Sequence, residues 1–167
     1  APLVTIVGPG GVGKTRLAVE AAREMEPDYA DGARFVSLAP LHRHEDVAQA
    51  IVTALGIVAL AGESSEQAVT RYLGAKHLLL VVDNLEHVLD AAPFIGRLVG
   101  ACPTLTAIAT SREPLAVQVE VRYPVGMLAA DDAAALFDER AHAHDPGFHA
   151  DEATAQDVAE ICRRVDG

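Results

Sequence analysis

The sequence predicts an α/β fold in which a mostly parallel sheet lies between layers of helices. Strands are predicted at residues 3–7, 34–38, 78–82 and 105–109, and they alternate with segments of helical periodicity. Residues 3–7 form a short apolar, β-branched run, and 78–82 is the most apolar of the four. Strands that alternate with helices form crossover units, in which neighbouring strands are parallel and the helices cover the faces of the sheet. Runs that are almost wholly apolar are typical of strands buried on both sides.

The helices between these strands are predicted from apolar spacing and from end signals. The first covers residues 14–25 and is stopped by Pro27. The second has apolar residues at i, i+3, i+4, i+7 and i+8, namely Val47, Ala50, Ile51, Ala54 and Leu55, and Gly56 ends it. Ser64 or Ser65 is expected to cap a third helix that runs to Gly74, and Asp90 to cap a fourth over residues 90–100.

The last part of the chain is predicted to be helical after one weaker strand at residues 119–125. One helix is expected over residues 131–143 and a loop over 144–150. A second helix has an apolar stripe made of Val158, Ile161, Cys162 and Val165. Because no further strand follows, we expect the α/β domain to cover residues 1–127 and a helical lid domain to begin at 128–167.

Composition excludes some classes of function. The net charge of −11 argues against a nucleic-acid surface, since phosphate backbones are bound by clustered Lys and Arg. No apolar stretch approaches the roughly 20 residues of a membrane helix. The two cysteines, Cys102 and Cys162, are far apart and are interpreted as reduced thiols of a cytoplasmic protein.

Residues 8–15 fit the pattern G-x-x-x-x-G-K-[ST] in full and are expected to bind the phosphates of ATP or ADP. Glycines let polyphosphate approach the backbone, whose N–H groups form an anion nest at the start of a helix. A chance match is disfavoured, because the motif lies between a predicted strand and a predicted helix. The expected nucleotide contacts are Gly8, Pro9, Gly10, Gly11, Val12, Gly13, Lys14, Thr15 and Arg16.

Within this motif, Lys14 is expected to contact the β- and γ-phosphates, and the Thr15 hydroxyl to bind Mg²⁺. Asp83, which directly follows the apolar run 78–82, is the second expected metal residue. Its carboxylate would lie at the carboxyl edge of the sheet, where ligands bind in open α/β folds. The alternative is that Asp83 is an ordinary helix cap.

Glu86 is the carboxylate nearest to Asp83 that could orient or deprotonate an attacking water. Asn84 cannot act as a base. An equally open interpretation is that Glu86 only favours the start of a helix.

Arg112 follows the strand 105–109 and is expected at the same edge of the sheet, where its guanidinium could distinguish ATP from ADP. The alternative is a surface ion pair, for which Glu113 is the candidate partner. Tyr123 and Pro124 could flank the adenine ring or could be part of the strand core, and the sequence leaves these two options open.

These blocks together resemble the STAND class of signalling ATPases, also called NB-ARC or AP-ATPase modules. The resemblance is carried by GPGGVGKTRLA, LLLVVDNLEHV, TSREPL, YPVGML, AALFDERA and EICRRVDG, which span essentially the whole chain. It is closest to the ATPase modules of large bacterial transcriptional regulators of the LuxR and SARP types.

The resemblance implies a P-loop NTPase fold with a five-stranded parallel sheet of order 5-1-4-3-2 and a helical domain after it. It implies a switch in which ADP holds a closed form and ATP permits opening and self-assembly. By matching positions, Lys14 and Thr15 hold phosphate and Mg²⁺, Asp83 is the Walker B aspartate and Arg112 is the sensor arginine. Many members have a second acidic residue where this chain has Asn84, which predicts slow hydrolysis. Members also continue beyond residue 167, so a fragment of a larger regulator is expected.

Three functions are compatible with these features. The favoured one is a regulatory ATP/ADP switch with slow Mg²⁺-dependent hydrolysis, attached to DNA-binding and sensor domains outside this chain. The alternatives are a P-loop kinase that phosphorylates a small molecule and a scaffold that binds nucleotide without hydrolysing it. Direct nucleic-acid or membrane binding by this chain is not expected.

Overall fold

The computed structural model describes residues 2–145 and, beyond them, residues 147, 154, 157, 158, 160 and 161. The chain divides into two compact units. The first contains residues 1–8 and 13–124, and the second contains residues 9–12 and 125–167.

The first unit is built on a five-stranded sheet. Its strands are β1 (Leu3–Val7), β2 (Ala33–Ser37), β3 (Leu78–Asp83), β4 (Leu105–Ser111) and β5 (Glu120–Pro124). The order is β2-β3-β4-β1-β5 and every neighbouring pair is parallel. Read from the opposite edge, this is 5-1-4-3-2, so the predicted fold and strand order are confirmed.

One face of this sheet is covered by three helices: α2 (Val47–Leu55), α3 (Ser65–Gly74) and α4 (Ala92–Ala101). Side chains alternate along each strand, so one set of alternate strand residues faces these helices. That set includes Leu78, Leu80 and Val82 of β3, which form one apolar core with Ile51, Val69 and Ile95 of the helices. Residues of both β3 and β4 belong to this core, which therefore holds the two strands in the sheet.

The opposite face carries α1 (Lys14–Met25), whose Ala18 and Ala22 are buried. Beside α1 lies an apolar cavity of about 460 Å³, bounded by Val4, Ile6, Thr106, Ile108 and Tyr123 of the strands and by Leu17, Ala21, Met25 and Tyr29. Small alanines bring this helix close to the strands, while the larger residues at its side border the open space.

Several of the predicted helix ends are confirmed. Ser64 caps α3 in a capping box with Gln67, which satisfies one backbone N–H at each of the two positions. Gly56, at φ 63, ends α2 in the left-handed conformation that glycine adopts without strain. Pro27 lies in a 3₁₀ turn, Glu26–Asp28, directly after α1.

Other boundaries differ from the sequence-based prediction. Asp90 does not cap α4, because residues Leu85–Ala91 form a 3₁₀ segment and the cap position is Ala91. Val88, at φ −139, interrupts that segment, so the helix starts only where Pro93 falls in its first turn. Strand β2 lies one residue earlier than predicted, and β4 extends through Ser111.

The second unit contains helix α5 (Ala130–His144), one residue longer at each end than predicted. Ala133 and Val158 are buried together, with Ala134 and Phe137 packed against them. Cys162, Val165 and most of the loop expected at 144–150 lie outside the described residues. Within the described part of the chain, no helix has the length and apolar character needed to span a membrane.

Candidate nucleotide-binding site

The glycine-rich loop connects β1 to α1, as its motif predicts. Gly11 and Gly13 have φ values of 82 and 88, a region that residues with a Cβ rarely adopt. A Cβ on Gly13 would meet no atom within 4 Å, so glycine is required there by backbone conformation and not by crowding. Gly13 is the N-cap of α1, and no side chain caps this end of the helix in the described structure. The first backbone N–H groups of α1 therefore suit an anionic ligand.

Lys14 is a buried residue in the first turn of α1. Its Nζ donates a hydrogen bond of 2.9 Å to the main-chain oxygen of Gly8. The Gly8 N–H in turn donates to the Ser111 oxygen at 3.3 Å, which fixes the start of the loop against the end of β4. The ammonium group is thus held beside the first residue of the loop before any ligand binds.

Asp83, at the end of β3, accepts two short hydrogen bonds. The Thr15 hydroxyl donates to Asp83 Oδ1 at 2.7 Å, and the Thr110 hydroxyl donates to the same oxygen at 2.6 Å. Asp83 is only 3% exposed, and neither bond uses its Oδ2. Asp83 does not cap a helix; Asn84 holds the position before the 3₁₀ segment.

These oxygens fit a magnesium ion. A hydroxyl and a carboxylate in direct contact are hard donors, which Mg²⁺ prefers, and Mg²⁺ usually takes one or two carboxylates together with phosphate oxygens. The described residues contain no cluster of three or more His, Cys, Asp or Glu that could hold a metal by themselves. A cation at this place would therefore depend on oxygens from a phosphate ligand.

Glu86 and Arg112, which sequence reasoning treated separately, are brought together. Arg112 Nε lies 3.5 Å from Glu86 Oε1, whereas Glu113, the partner considered from the sequence, does not form this ion pair. The Glu86 side chain is 9% exposed and that of Arg112 60%. The other carboxylate oxygen of Glu86 is buried and has no hydrogen-bond partner among the described residues. A buried unsatisfied oxygen is costly, so this carboxylate is suited to accept a hydrogen bond from a ligand or water.

Tyr123 and Pro124 end β5, opposite Ile6 and Val7 of β1. Tyr123 is 56% exposed and borders the cavity beside α1, so it is not part of the strand core. Arg16 is exposed on α1, and no described contact involves its guanidinium.

Sequence reasoning missed Thr110 at this edge of the sheet, and also Glu120, which begins β5 at the opposite edge, level with Leu3. Thr110 is not among the predicted site residues, although its hydroxyl donates to Asp83 Oδ1. Glu120 accepts hydrogen bonds from the N–H groups of Leu115 (2.8 Å) and Ala116 (3.1 Å), in the segment between Arg112 and β5. Burial raises the pKa of Glu120, but these bonds and that from Arg122 outweigh it and lower the pKa overall. One signal could have identified Thr110: it is a threonine near the end of one strand, and the neighbouring strand ends in Asp.

The strand order is that of a P-loop NTPase. The glycine-rich loop after β1, followed by a helix that begins with Lys14 and Thr15, is also typical of this fold. The comparisons with known proteins agree. The chain matches the family described as AAA domain over residues 1–118, and it belongs to that family. Nucleotide binding is the property that this fold implies.

The chain also resembles a longer mycobacterial protein. It is 44% identical over 167 residues to "Putative HTH-type transcriptional regulator Rv0890c" of Mycobacterium tuberculosis, with 99% of this chain and 19% of that protein covered. The chain therefore spans about a fifth of the length of this relative.

Among solved structures, the ADP form of the Aeropyrum pernix ORC2 protein superposes with a TM-score of 0.67 at 12% identity, covering 98% of this chain and 51% of that one. A STAND protein with a tetratricopeptide repeat sensor from Pyrococcus horikoshii gives 0.58 at 15% identity, covering 96% and 25%. At such identities the likeness shows the fold alone.

Proposed function

We propose that this chain is the ATP/ADP-binding switch module of a STAND-type bacterial transcriptional regulator, with slow Mg²⁺-dependent ATP hydrolysis. The observation that carries the proposal is the ion pair between Arg112 and Glu86 at the edge of the sheet where β3 and β4 end. It joins the group expected to sense the γ-phosphate to the group expected to act on water.

In this proposal, residues 8–15 bind the phosphates, Lys14 contacts the β- and γ-phosphates, and Thr15 with Asp83 holds Mg²⁺. The metal would neutralise phosphate charge as the terminal bond breaks. The hydrogen bond of 2.7 Å from Thr15 to Asp83, which brings these two groups together, supports this assignment.

The γ-phosphate of ATP would compete with Glu86 for Arg112. Guanidinium binds phosphate oxygens at two points, so this exchange is favourable when ATP is present and absent when ADP is present. Glu86, once released from Arg112, would hold the attacking water. The ion pair thus forms a two-state element whose equilibrium ATP shifts, as a nucleotide switch requires.

The contacts to the adenine base are proposed to come from the face of the sheet that carries α1. We propose that adenine packs against exposed Tyr123 and against Leu17, one turn into α1, because both border the apolar cavity. Pro124 would flank the ring at the end of β5, next to Val7, and Arg16 would contact the phosphates from the first turn of α1.

The regulatory part of the proposal is supported by the printed name of the mycobacterial relative, which describes an HTH-type transcriptional regulator. We propose that residues 128–167 begin a helical lid, that DNA-binding and sensor domains lie elsewhere in the longer protein, and that ATP permits self-assembly. The activity is proposed to reside in the cytoplasm, where ATP and DNA are both present.

Titration of the chain with ATP and ADP by calorimetry, with Mg²⁺ and with EDTA, tests the proposal. We expect both nucleotides to bind, Mg²⁺ to strengthen binding, and turnover on the order of 1 per minute or less. Kinases transfer phosphate at about 1–100 per second, so acceptor-dependent turnover at such rates would identify a small-molecule kinase instead. Binding without any hydrolysis would indicate a scaffold, and no binding of either nucleotide would refute the proposal.

A further inference from the structure

Thr110 makes two hydrogen bonds that join the ends of β3 and β4. Its hydroxyl donates to Asp83 Oδ1 at 2.6 Å and accepts from the backbone N–H of Asn84 at 2.9 Å. The residue is 1% exposed. A threonine hydroxyl has one proton to donate, so the donation to Asp83 fixes its orientation and leaves a lone pair for the Asn84 N–H.

The position of these bonds in the sheet explains why the Asn84 N–H needs a side chain as its hydrogen-bond acceptor. The parallel ladder between β3 and β4 runs to the pair Val82 and Ala109, and Asp83 and Thr110 follow one residue later. Asn84 then adopts the left-handed conformation, at φ 63, beyond the last paired residues of the ladder. The Thr110 hydroxyl supplies the acceptor that the neighbouring strand no longer offers.

Three functional candidates depend on the geometry of this point. Asp83 is the expected metal residue, and Glu86 comes two residues after Asn84. Arg112 comes two residues after Thr110, directly after the end of β4. With Thr15 and Thr110 both bonded to Oδ1, the Asp83 carboxylate is held from two sides and its Oδ2 takes part in neither bond.

We propose that Thr110 is a positioning residue that orients the Asp83 carboxylate toward the metal and fixes the turn that carries Glu86. This inference rests on the proposed Mg²⁺–nucleotide function. A hydroxyl that aligns a metal-binding carboxylate influences metal affinity without touching the metal, and loss of such a group usually costs about 10- to 100-fold in metal affinity or activity.

Thr110→Val tests this proposal, because valine keeps the branched shape and removes both hydrogen bonds. We expect ADP affinity in EDTA to remain within about twofold, and the strengthening by Mg²⁺ to fall by about 10-fold. Thr110→Ser retains the hydroxyl and should restore the Mg²⁺ effect. Unaltered strengthening by Mg²⁺ in Thr110→Val would overturn the proposal.

Thr104→Val is the matched control. Thr104 lies just before β4, at the opposite end of the strand, and its hydroxyl donates to the main-chain oxygen of Lys76 at 2.8 Å. This variant also loses a threonine bond between the two strands, so it should lower the melting temperature without altering the Mg²⁺ effect. A loss of the Mg²⁺ effect in both variants would mean that general destabilisation, and not positioning, explains the result.

A measurement on the unaltered chain covers the case in which Thr110→Val does not fold. The Asn84 amide proton should exchange slowly with solvent although it lies outside the strand ladder, and rapid exchange would refute the proposed hydrogen bond. The two hypotheses also fail differently. If Mg²⁺ does not strengthen ADP binding in the unaltered chain, the proposed metal site is wrong, whereas a Mg²⁺ effect that survives Thr110→Val refutes only the role of Thr110.

Discussion

The two ends of strands β3 and β4 use similar groups for different purposes. At the amino end, Asp31 accepts hydrogen bonds from Lys76 Nζ (2.7 Å) and from the backbone of His77 (2.8 Å), and Thr104 bonds to the Lys76 oxygen. At the carboxyl end, Asp83 accepts from two threonine hydroxyls, and Lys14 donates to a main-chain oxygen. Each end thus combines a carboxylate, a lysine and at least one threonine, and these are the only two lysines of the chain.

Burial and pairing distinguish the two ends. The side chains of Lys76 and Asp31 are 33% and 28% exposed and pair directly with each other. The Lys76 hydrogen bond, with that from His77, lowers the pKa of Asp31, while Asp31 raises the pKa of Lys76. Asp83 is almost fully buried and its bonds come from neutral hydroxyls. At the amino end, the two charged groups pair with each other. At the carboxyl end, the hydrogen bonds described for Lys14 and Asp83 join them to neutral groups, which the proposed phosphate and metal would replace.

The largest contrast between the two ends is expected from their lysines. Lys14→Ala should weaken ADP and ATP binding by about 1,000-fold, because two charge-assisted hydrogen bonds to phosphate are lost at about 2 kcal/mol each. Lys76→Ala removes the other lysine and should leave affinity unchanged. Both variants are measured by calorimetry. Near-normal ADP binding by Lys14→Ala would show that the glycine-rich motif is not the phosphate site.

Glu86 allows binding and hydrolysis to be separated at the carboxyl end, because it is proposed to act on the attacking water and not to bind the nucleotide. Glu86→Gln should slow ATP hydrolysis by about 100-fold, the lower range for loss of a general base, with ATP affinity retained. Glu113→Gln, an exposed neighbour of Arg112, is the control and should hydrolyse ATP at the normal rate. Steady-state phosphate release is the measurement, and a normal rate in Glu86→Gln would leave Glu86 as an acidic residue in the first turn of the 3₁₀ segment, with no role in hydrolysis.

Arg112 tests whether the carboxyl end distinguishes nucleotides. Arg112→Ala should weaken ATP binding by about 10-fold and ADP binding much less, since one charge-assisted contact to the γ-phosphate is lost. Loss of the ion pair should also lower the melting temperature, because the Glu86 side chain is only 9% exposed and loses this partner. Equal losses for ATP and ADP in competition titrations would show that Arg112 is not a sensor.

The apolar run of β3 and the strict spacing of the glycine motif made that strand and the loop before α1 predictable from the residues, whereas the strand order was implied by the family resemblance. The sequence could not predict the bond between Thr110 and Asp83, which depends on the register of two strands some 27 positions apart. The pairing of Arg112 with Glu86 was missed for the same reason. Asp90 was a wrong cap because a 3₁₀ segment, whose φ/ψ angles the local pattern does not encode, takes the residues before α4.

The smallest effect is expected at the amino end, from pH. Because the pKa of Asp31 is lowered in the folded protein, its contribution to stability is present above the unfolded pKa of about 4 and is lost as the pH falls through the folded value. Asp31→Asn should therefore lower the melting temperature by about 2–4 °C near pH 7. The difference from the unaltered chain should shrink as the pH falls below about 4. Asp28→Asn, an exposed carboxylate of the 3₁₀ turn after α1, is the control and should show no such pH-dependent difference. Thermal melts between pH 3 and 7 measure both, and a constant difference for Asp31→Asn would mean that the Lys76 pair does not contribute to stability through ionisation.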